Sequence, residues 1–179
     1  MPNTVLVVVA LALMASGAAP AKKPATLRLT STSFGQMGEI PSRHTCDGGD
    51  HSPPLAWSGA PRGTKSFALI VSDPDAPDPA APKMTWTHWV LFALPTATND
   101  LVENIRALPA GARQGINDWK QTGYRGPCPP IGSHRYFFRL YALDTTFPGL
   151  QRPTRIALER AMRGHVLAGA ELIGISRKR

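Results

Sequence analysis

Acidic residues are scarce in this 179-residue chain: 12 Asp and Glu stand against 20 Lys and Arg, a formal net charge of +8. Sequence signatures of catalysis are scarcer still. There is no G-x-S-x-G elbow, no Walker loop and no G-x-G-x-x-G, so the usual marks of serine hydrolases, P-loop enzymes and dinucleotide-binding enzymes are missing. The five histidines show no H-x-H or H-x₃-H spacing, so no metal centre is expected. Asp73-Pro74-Asp75-Ala76-Pro77-Asp78 lacks the glycine and the distal glutamate of a calcium loop, and its prolines forbid that turn. Basic residues are not interleaved with aromatics, so nothing argues for a nucleic-acid partner. Internal repeats are absent, and composition does not break after residue 25, which fits one domain.

Proline is the residue present in surplus. Its 18 copies are roughly one residue in ten, about twice the usual share. Proline breaks helix interiors, which excludes a coiled coil or helical bundle. Apolar content of 42% with 18% charged residues excludes wholesale disorder. The charge is uneven: residues 25–100 hold seven acids and five bases, and residues 101–179 hold five acids and 13 bases. A net positive chain keeps an anionic ligand or surface in view.

Val5 to Ala15 is apolar without interruption, followed by small residues and the A-x-A type site Ala19-Pro20-Ala21. The pattern reads as a secretory signal peptide over residues 1–21, although Met1 to Thr4 carries no positive charge. An uncleaved membrane anchor is the alternative, with a run short for a span. Cysteine does not occur near the site, so lipidation there is excluded. Residues 22–28 are expected to be a flexible N-terminus and 29–176 the folded domain, exported to the periplasm or beyond.

Short strands separated by proline-rich loops are expected. Leu27 to Phe34 alternates as a half-buried strand, and Ser66 to Ser72 and Thr87 to Leu94 are continuous apolar runs of buried strands. Arg135 to Leu143 is an aromatic-rich strand. Thr154 to Met162 is the best helix, with Thr154 as N-cap and Gly164 as stop. His165 to Ser176 is ambiguous and is read as a final strand. The fold class is mainly β.

Asp73, Asp75, His88 and His134 fall at the ends of these strands, where loops build sites. A carboxylate beside an imidazole favours its protonated form. Two such histidines can donate to an anion, and a free backbone N–H at Gly126 can add a third donor. A spare carboxylate can accept from an ammonium group, so the set suits an anionic or zwitterionic phosphoryl head group. The same residues admit a structural reading. Aspartates at strand ends are commonly turn residues, His88 can be a satisfied strand histidine, and Arg135 suits a structural partner of an Asp better than a ligand donor.

Ser72-Asp-Pro-Asp-Ala-Pro77, Thr85-Trp-Thr-His-Trp89 and Gly132-Ser-His-Arg-Tyr136 together resemble the phosphatidylethanolamine-binding protein family, in its bacterial branch of Raf-kinase-inhibitor-like proteins. Further agreement comes from His44-Thr-Cys-Asp-Gly48, Ser52-Pro-Pro-Leu55, Gly115-Ile-Asn-Asp-Trp119 and Gly164-His-Val-Leu-Ala168. The resemblance runs from about Leu29 to Ile175. It implies a β-sandwich-like fold of two antiparallel sheets, with one or two short helices near the C-terminus and a small pocket near one edge. It also implies that Asp73, Asp75, Trp86, His88, Gly126, Pro127 and His134 line that pocket, with Tyr124 at its rim. A cis bond is implied before Pro77. The animal branch has no counterpart of Cys46 and Cys128. In an oxidising compartment these two are expected to pair, two buried thiols being the alternative.

The reading that follows is a binding protein without catalysis or cofactor, for a phosphate-like anion or phosphoryl lipid head group. A second reading is an envelope interaction protein that inhibits a kinase or protease, with an unidentified protein partner. A third is a hydrolase that uses the Asp/His cluster. Membrane contact through the basic second half is not favoured over a solvated helix face.

Overall fold

The computed structural model describes residues 26–178, so the expected signal segment lies outside the described residues. Three long strands carry the apolar runs: β4 (Ser66–Asp73), β5 (Trp86–Leu94) and β8 (Ser133–Leu143). With β9 (Val166–Arg177) and the two-residue strands β2 (Gly38–Glu39) and β7 (Arg113–Gln114) they form a six-stranded sheet, in the order β2-β9-β8-β4-β5-β7. A second sheet of three short strands, β1 (Arg28–Thr30), β3 (Leu55–Ser58) and β6 (Asp100–Leu101), packs on one face. Pairing is antiparallel throughout except between β2 and β9, which run parallel over two residues.

The burial patterns follow from what covers each face. On β4, Phe67, Leu69 and Val71 enter the core between the sheets. Ala68 and Ile70 point the other way, against Leu158 and Met162 at the helix α1 (Arg155–Ala161). Both faces of β4 are therefore covered, which is why its apolar run is unbroken. β8 instead alternates buried with exposed or half-buried residues over most of its length, because its outer face is largely open. The helix begins where expected: the Thr154 hydroxyl accepts from the Ala157 N–H.

Two boundaries shift. The first strand spans three residues, not eight, and Phe34 reaches the core from a loop, 5.4 Å from the Phe138 ring. Leu27 is buried in the same core, and Arg28 pairs with Ser58. At the other end Arg177 pairs with Ser133, and the Lys178 N–H bonds the Gly132 carbonyl. The helix count near the C-terminus is one among the described residues; a 3-10 turn, Ser42–His44, lies near the N-terminus instead.

Candidate functional site

Antiparallel register sets the site. Asp73 closes β4 opposite Trp86, the first residue of β5. Period-2 alternation puts His88 on the same side of β5 as Trp86, and Tyr136 on the same side of β8 as His134. Trp119 is brought over this floor by a turn tied to β5: the Asp118 carboxylate accepts from the Thr87 N–H at 2.6 Å, and the Asn117 side chain accepts from the backbone N–H groups of Trp119 and Gln121. Trp119 then meets Trp86 and His88 edge to face, at 5.4 and 5.1 Å. The third wall is the loop after β4, with the cis Ala76–Pro77 bond and Met84, and the fourth is Cys128 and Pro130. Together these enclose a cavity of about 350 Å³.

Polar groups at its floor are few, and their protonation is constrained. Asp73 Oδ2 accepts from His134 Nδ1 at 2.7 Å, and Asp73 Oδ1 accepts from the Asp75 N–H at 2.8 Å. His134 Nε2 faces the Ile131 carbonyl at 3.1 Å. Both ring nitrogens of His134 are thus taken up by acceptors of the protein itself. His88 is set differently. Its Nδ1 donates to the Arg125 carbonyl at 2.6 Å, which leaves Nε2 as the nitrogen a ligand can meet. Burial lowers the His88 pKa, against smaller upward effects of the Arg125 carbonyl and the Asp73 charge. The buried Tyr136 hydroxyl makes no hydrogen bond of good geometry, although Asp73 and the Cys128 backbone lie within its reach, and burial, then the Asp73 charge, pushes its pKa up.

Several expected pocket residues sit elsewhere. His134 is fully buried and has no nitrogen left for a ligand, and it is not on the cavity wall. Asp75 is also outside the wall. It takes the Arg135 N–H and Nε at 2.9 Å and Nη2 at 2.7 Å, and the Arg135 side chain holds its carboxyl below the usual range. Gly126 has no free N–H, because that group donates to Asp50 Oδ1 at 2.8 Å. Glycine is required there for packing: a Cβ would lie 2.4 Å from the His44 carbonyl oxygen. The Pro127 carbonyl accepts from the Cys46 N–H, and the Tyr124 hydroxyl donates to the His44 carbonyl, so neither residue lies on the cavity wall. The two histidines are therefore placed differently from the expectation that both are free to donate. One is committed to Asp73 and Ile131, and desolvation favours the neutral form of the other.

Of the expected set, Asp73, Trp86 and His88 line the cavity. Tyr136, Trp119, Met84 and Cys128 line it unannounced as ligand residues, and Tyr136 was within reach of the alternation argument because it stands two residues from His134. Cys46 and Cys128 are joined by a disulfide. No group of three His, Cys, Asp or Glu placed to hold a metal occurs among the described residues, and no helix there is long and apolar enough to cross a membrane.

Comparison with known proteins meets this geometry. The model of the phosphatidylethanolamine-binding protein family matches residues 30–177. The chain belongs to that family. A UPF0098 protein of Methanothermobacter thermautotrophicus is 50% identical over 155 residues, covering 85% of this chain and 99% of that one. Another from Aquifex aeolicus is 44% identical, over 86% and 90%. Among solved structures, the putative family homologue CT736 of Chlamydia trachomatis superposes with a TM-score of 0.79 at 39% identity, over 87% of this chain and 99% of that one. YbcL of Escherichia coli gives 0.78 at 32% identity, over 87% and 100%.

Proposed function

We propose that this family member is an exported, non-catalytic binding protein whose cavity takes the phosphoryl part of a small ligand or lipid head group. The observation that carries the reading is the buried Tyr136 hydroxyl, which makes no hydrogen bond of good geometry and stands on the cavity wall beside His88, within reach of Asp73 and the Cys128 backbone. A buried polar group without a partner costs about 1–3 kcal/mol, which a ligand oxygen accepting from it would recover. His88 Nε2 then needs a proton between itself and a second phosphoryl oxygen. Either the ring is protonated or the ligand brings the proton, since phosphate monoesters titrate near pH 6. Trp86, Trp119 and Met84 offer apolar and ring surface to the rest of the ligand. The Arg125 guanidinium, 5.7 Å from the Trp119 ring, adds positive field nearby although Asp50 pairs with it. Export is supported by the disulfide, which persists in oxidising compartments.

Hydrolysis has less support. His134 has both nitrogens occupied, and no serine, threonine or free thiol lines the cavity. The test is a thermal shift with inorganic phosphate and phosphoethanolamine at about pH 5.5 and about pH 8.5, with millimolar ligand. A rise in Tm of a few degrees at the lower pH, smaller at the higher, is expected. No shift with either compound at either pH would remove this reading.

A further inference from the structure

We infer that the Cys46–Cys128 disulfide is a site of reversible thiol–disulfide exchange that controls the affinity of the cavity. The inference deepens the binding reading above and rests on it for its ligand. Three observations carry it. Cys128 is itself part of the cavity wall. Both cysteines are exposed at the surface, and exposed disulfides are the labile and regulatory ones. The loop that carries Cys128 also orients the one histidine that faces the cavity, because the Arg125 carbonyl accepts from His88 Nδ1.

The two loops joined by the bridge are fastened side by side. The Tyr124 hydroxyl donates to the His44 carbonyl at 2.8 Å, the Arg125 guanidinium pairs with Asp50 Oδ2 at 3.2 Å, the Gly126 N–H donates to Asp50 Oδ1 at 2.8 Å, and the Cys46 N–H donates to the Pro127 carbonyl at 3.0 Å. All four are single hydrogen bonds or an exposed ion pair, each of modest net strength. The disulfide is the covalent member of the row and stands at its cavity end. Opening it frees Cys128 to leave the wall and loosens the segment that fixes the His88 tautomer. Ligand that needs this wall then binds the oxidised form more tightly. By reciprocity, bound ligand must make the bridge harder to reduce.

The exchange balances with a dithiol as co-reactant. One dithiol thiolate attacks a sulfur of the bridge; the S–S bond breaks, and the other cysteine leaves as thiolate and takes a proton. The second dithiol sulfur, as thiolate, then attacks the mixed disulfide and releases the remaining cysteine. Two electrons and two protons pass to the protein, and the reductant ends as a cyclic disulfide.

The experiment uses the oxidised mature protein with dithiothreitol as reductant, and follows thiol release by alkylation and mass. Phosphoethanolamine at saturating concentration is expected to shift the equilibrium with dithiothreitol about tenfold toward the oxidised protein. Phosphate affinity of the reduced protein is expected to fall by a similar factor, with the Cys46→Ser/Cys128→Ser variant matching the reduced form. If phosphoethanolamine fails to bind the oxidised protein at all, the binding reading falls. The redox coupling is still read from the His88 ring resonances by NMR, which should change tautomer balance on reduction. An equilibrium with dithiothreitol unmoved by bound ligand, or His88 resonances unmoved by reduction, would overturn the inference. The equilibrium arm starts from the native oxidised fold, so it decides the matter even if the double variant does not fold.

Discussion

Two carboxylates two residues apart, Asp73 and Asp75, meet two consecutive residues of β8 and end in opposite roles. Asp73 faces inward, beside the buried His134 and the cavity. Asp75 takes the outward-facing Arg135, whose side chain is 49% exposed. Alternation of the β8 strand makes the division: His134 and Tyr136 lie on the inner face, Arg135 on the outer. The two pairs look alike on paper, each a carboxylate with a nitrogen base. Their surroundings make one a part of a cavity floor and the other a clamp between the start of β8 and the loop after β4.

The largest expected effect comes from removing the inner carboxylate. Asp73→Ala leaves the buried His134 Nδ1–H and the Asp75 N–H without acceptors. Breaking a buried pair by deleting one partner costs about 3–5 kcal/mol, so denaturant unfolding should show a loss of that order together with loss of phosphate binding. Asp75→Asn keeps an acceptor for the Arg135 N–H and removes a half-exposed ion pair, so about 1–2 kcal/mol should be lost while phosphate affinity holds. A larger cost at Asp75 than at Asp73 would reverse the comparison.

Acid sharpens it next, because the cavity histidine and the outer clamp lose their contributions in different windows. Burial lowers the His88 pKa, so the unfolded chain binds more protons there than the folded one. Its effect on stability is absent above the ordinary histidine range, and stability falls as pH drops below about 6.5 toward the folded value. Arg135 lowers the Asp75 pKa, so that stabilisation is present above the ordinary carboxylate value and is lost as pH falls through the lower folded one. His88→Gln should therefore flatten the stability profile between roughly pH 7 and pH 5, and Asp75→Asn should flatten it only below about pH 4. Urea midpoints across pH read both. A His88→Gln profile parallel to wild type would show that this ring does not carry the upper limb.

How much of this was legible depends on whether the fact was local. The strands, the helix with its Thr154 cap and the partnership of Arg135 with an aspartate follow from periodicity and pair chemistry along the chain. Gly126 was legible as a special position, but for the opposite reason: the site is crowded by His44, and its N–H is spent on Asp50. The surroundings of the histidines were not legible, because the desolvation of His88 and the Ile131 carbonyl beside His134 are products of tertiary packing. Trp119 and Met84 reach the cavity from loops whose path no period describes. The short β1 shows the limit of alternation: a polar run of Ser and Thr keeps the pattern after the chain has left the sheet.

The smallest effect is the most discriminating, because stability and binding should move apart. The buried Tyr136 hydroxyl makes no hydrogen bond of good geometry, unlike the Arg135 Nε and Nη2 that bond Asp75 at 2.9 and 2.7 Å. Tyr136→Phe removes that oxygen and keeps the ring, which packs edge to face on His88 at 5.2 Å. Stability should stay level or rise by about 1 kcal/mol, since an unsatisfied buried group is deleted. Phosphate affinity should fall roughly five- to tenfold, the worth of one hydrogen bond of about 1–1.4 kcal/mol. Calorimetric titration with denaturant unfolding on the same samples reads both quantities. Lost stability with unchanged affinity would mean that the hydroxyl serves the fold, and the cavity floor would then resemble the outer clamp after all.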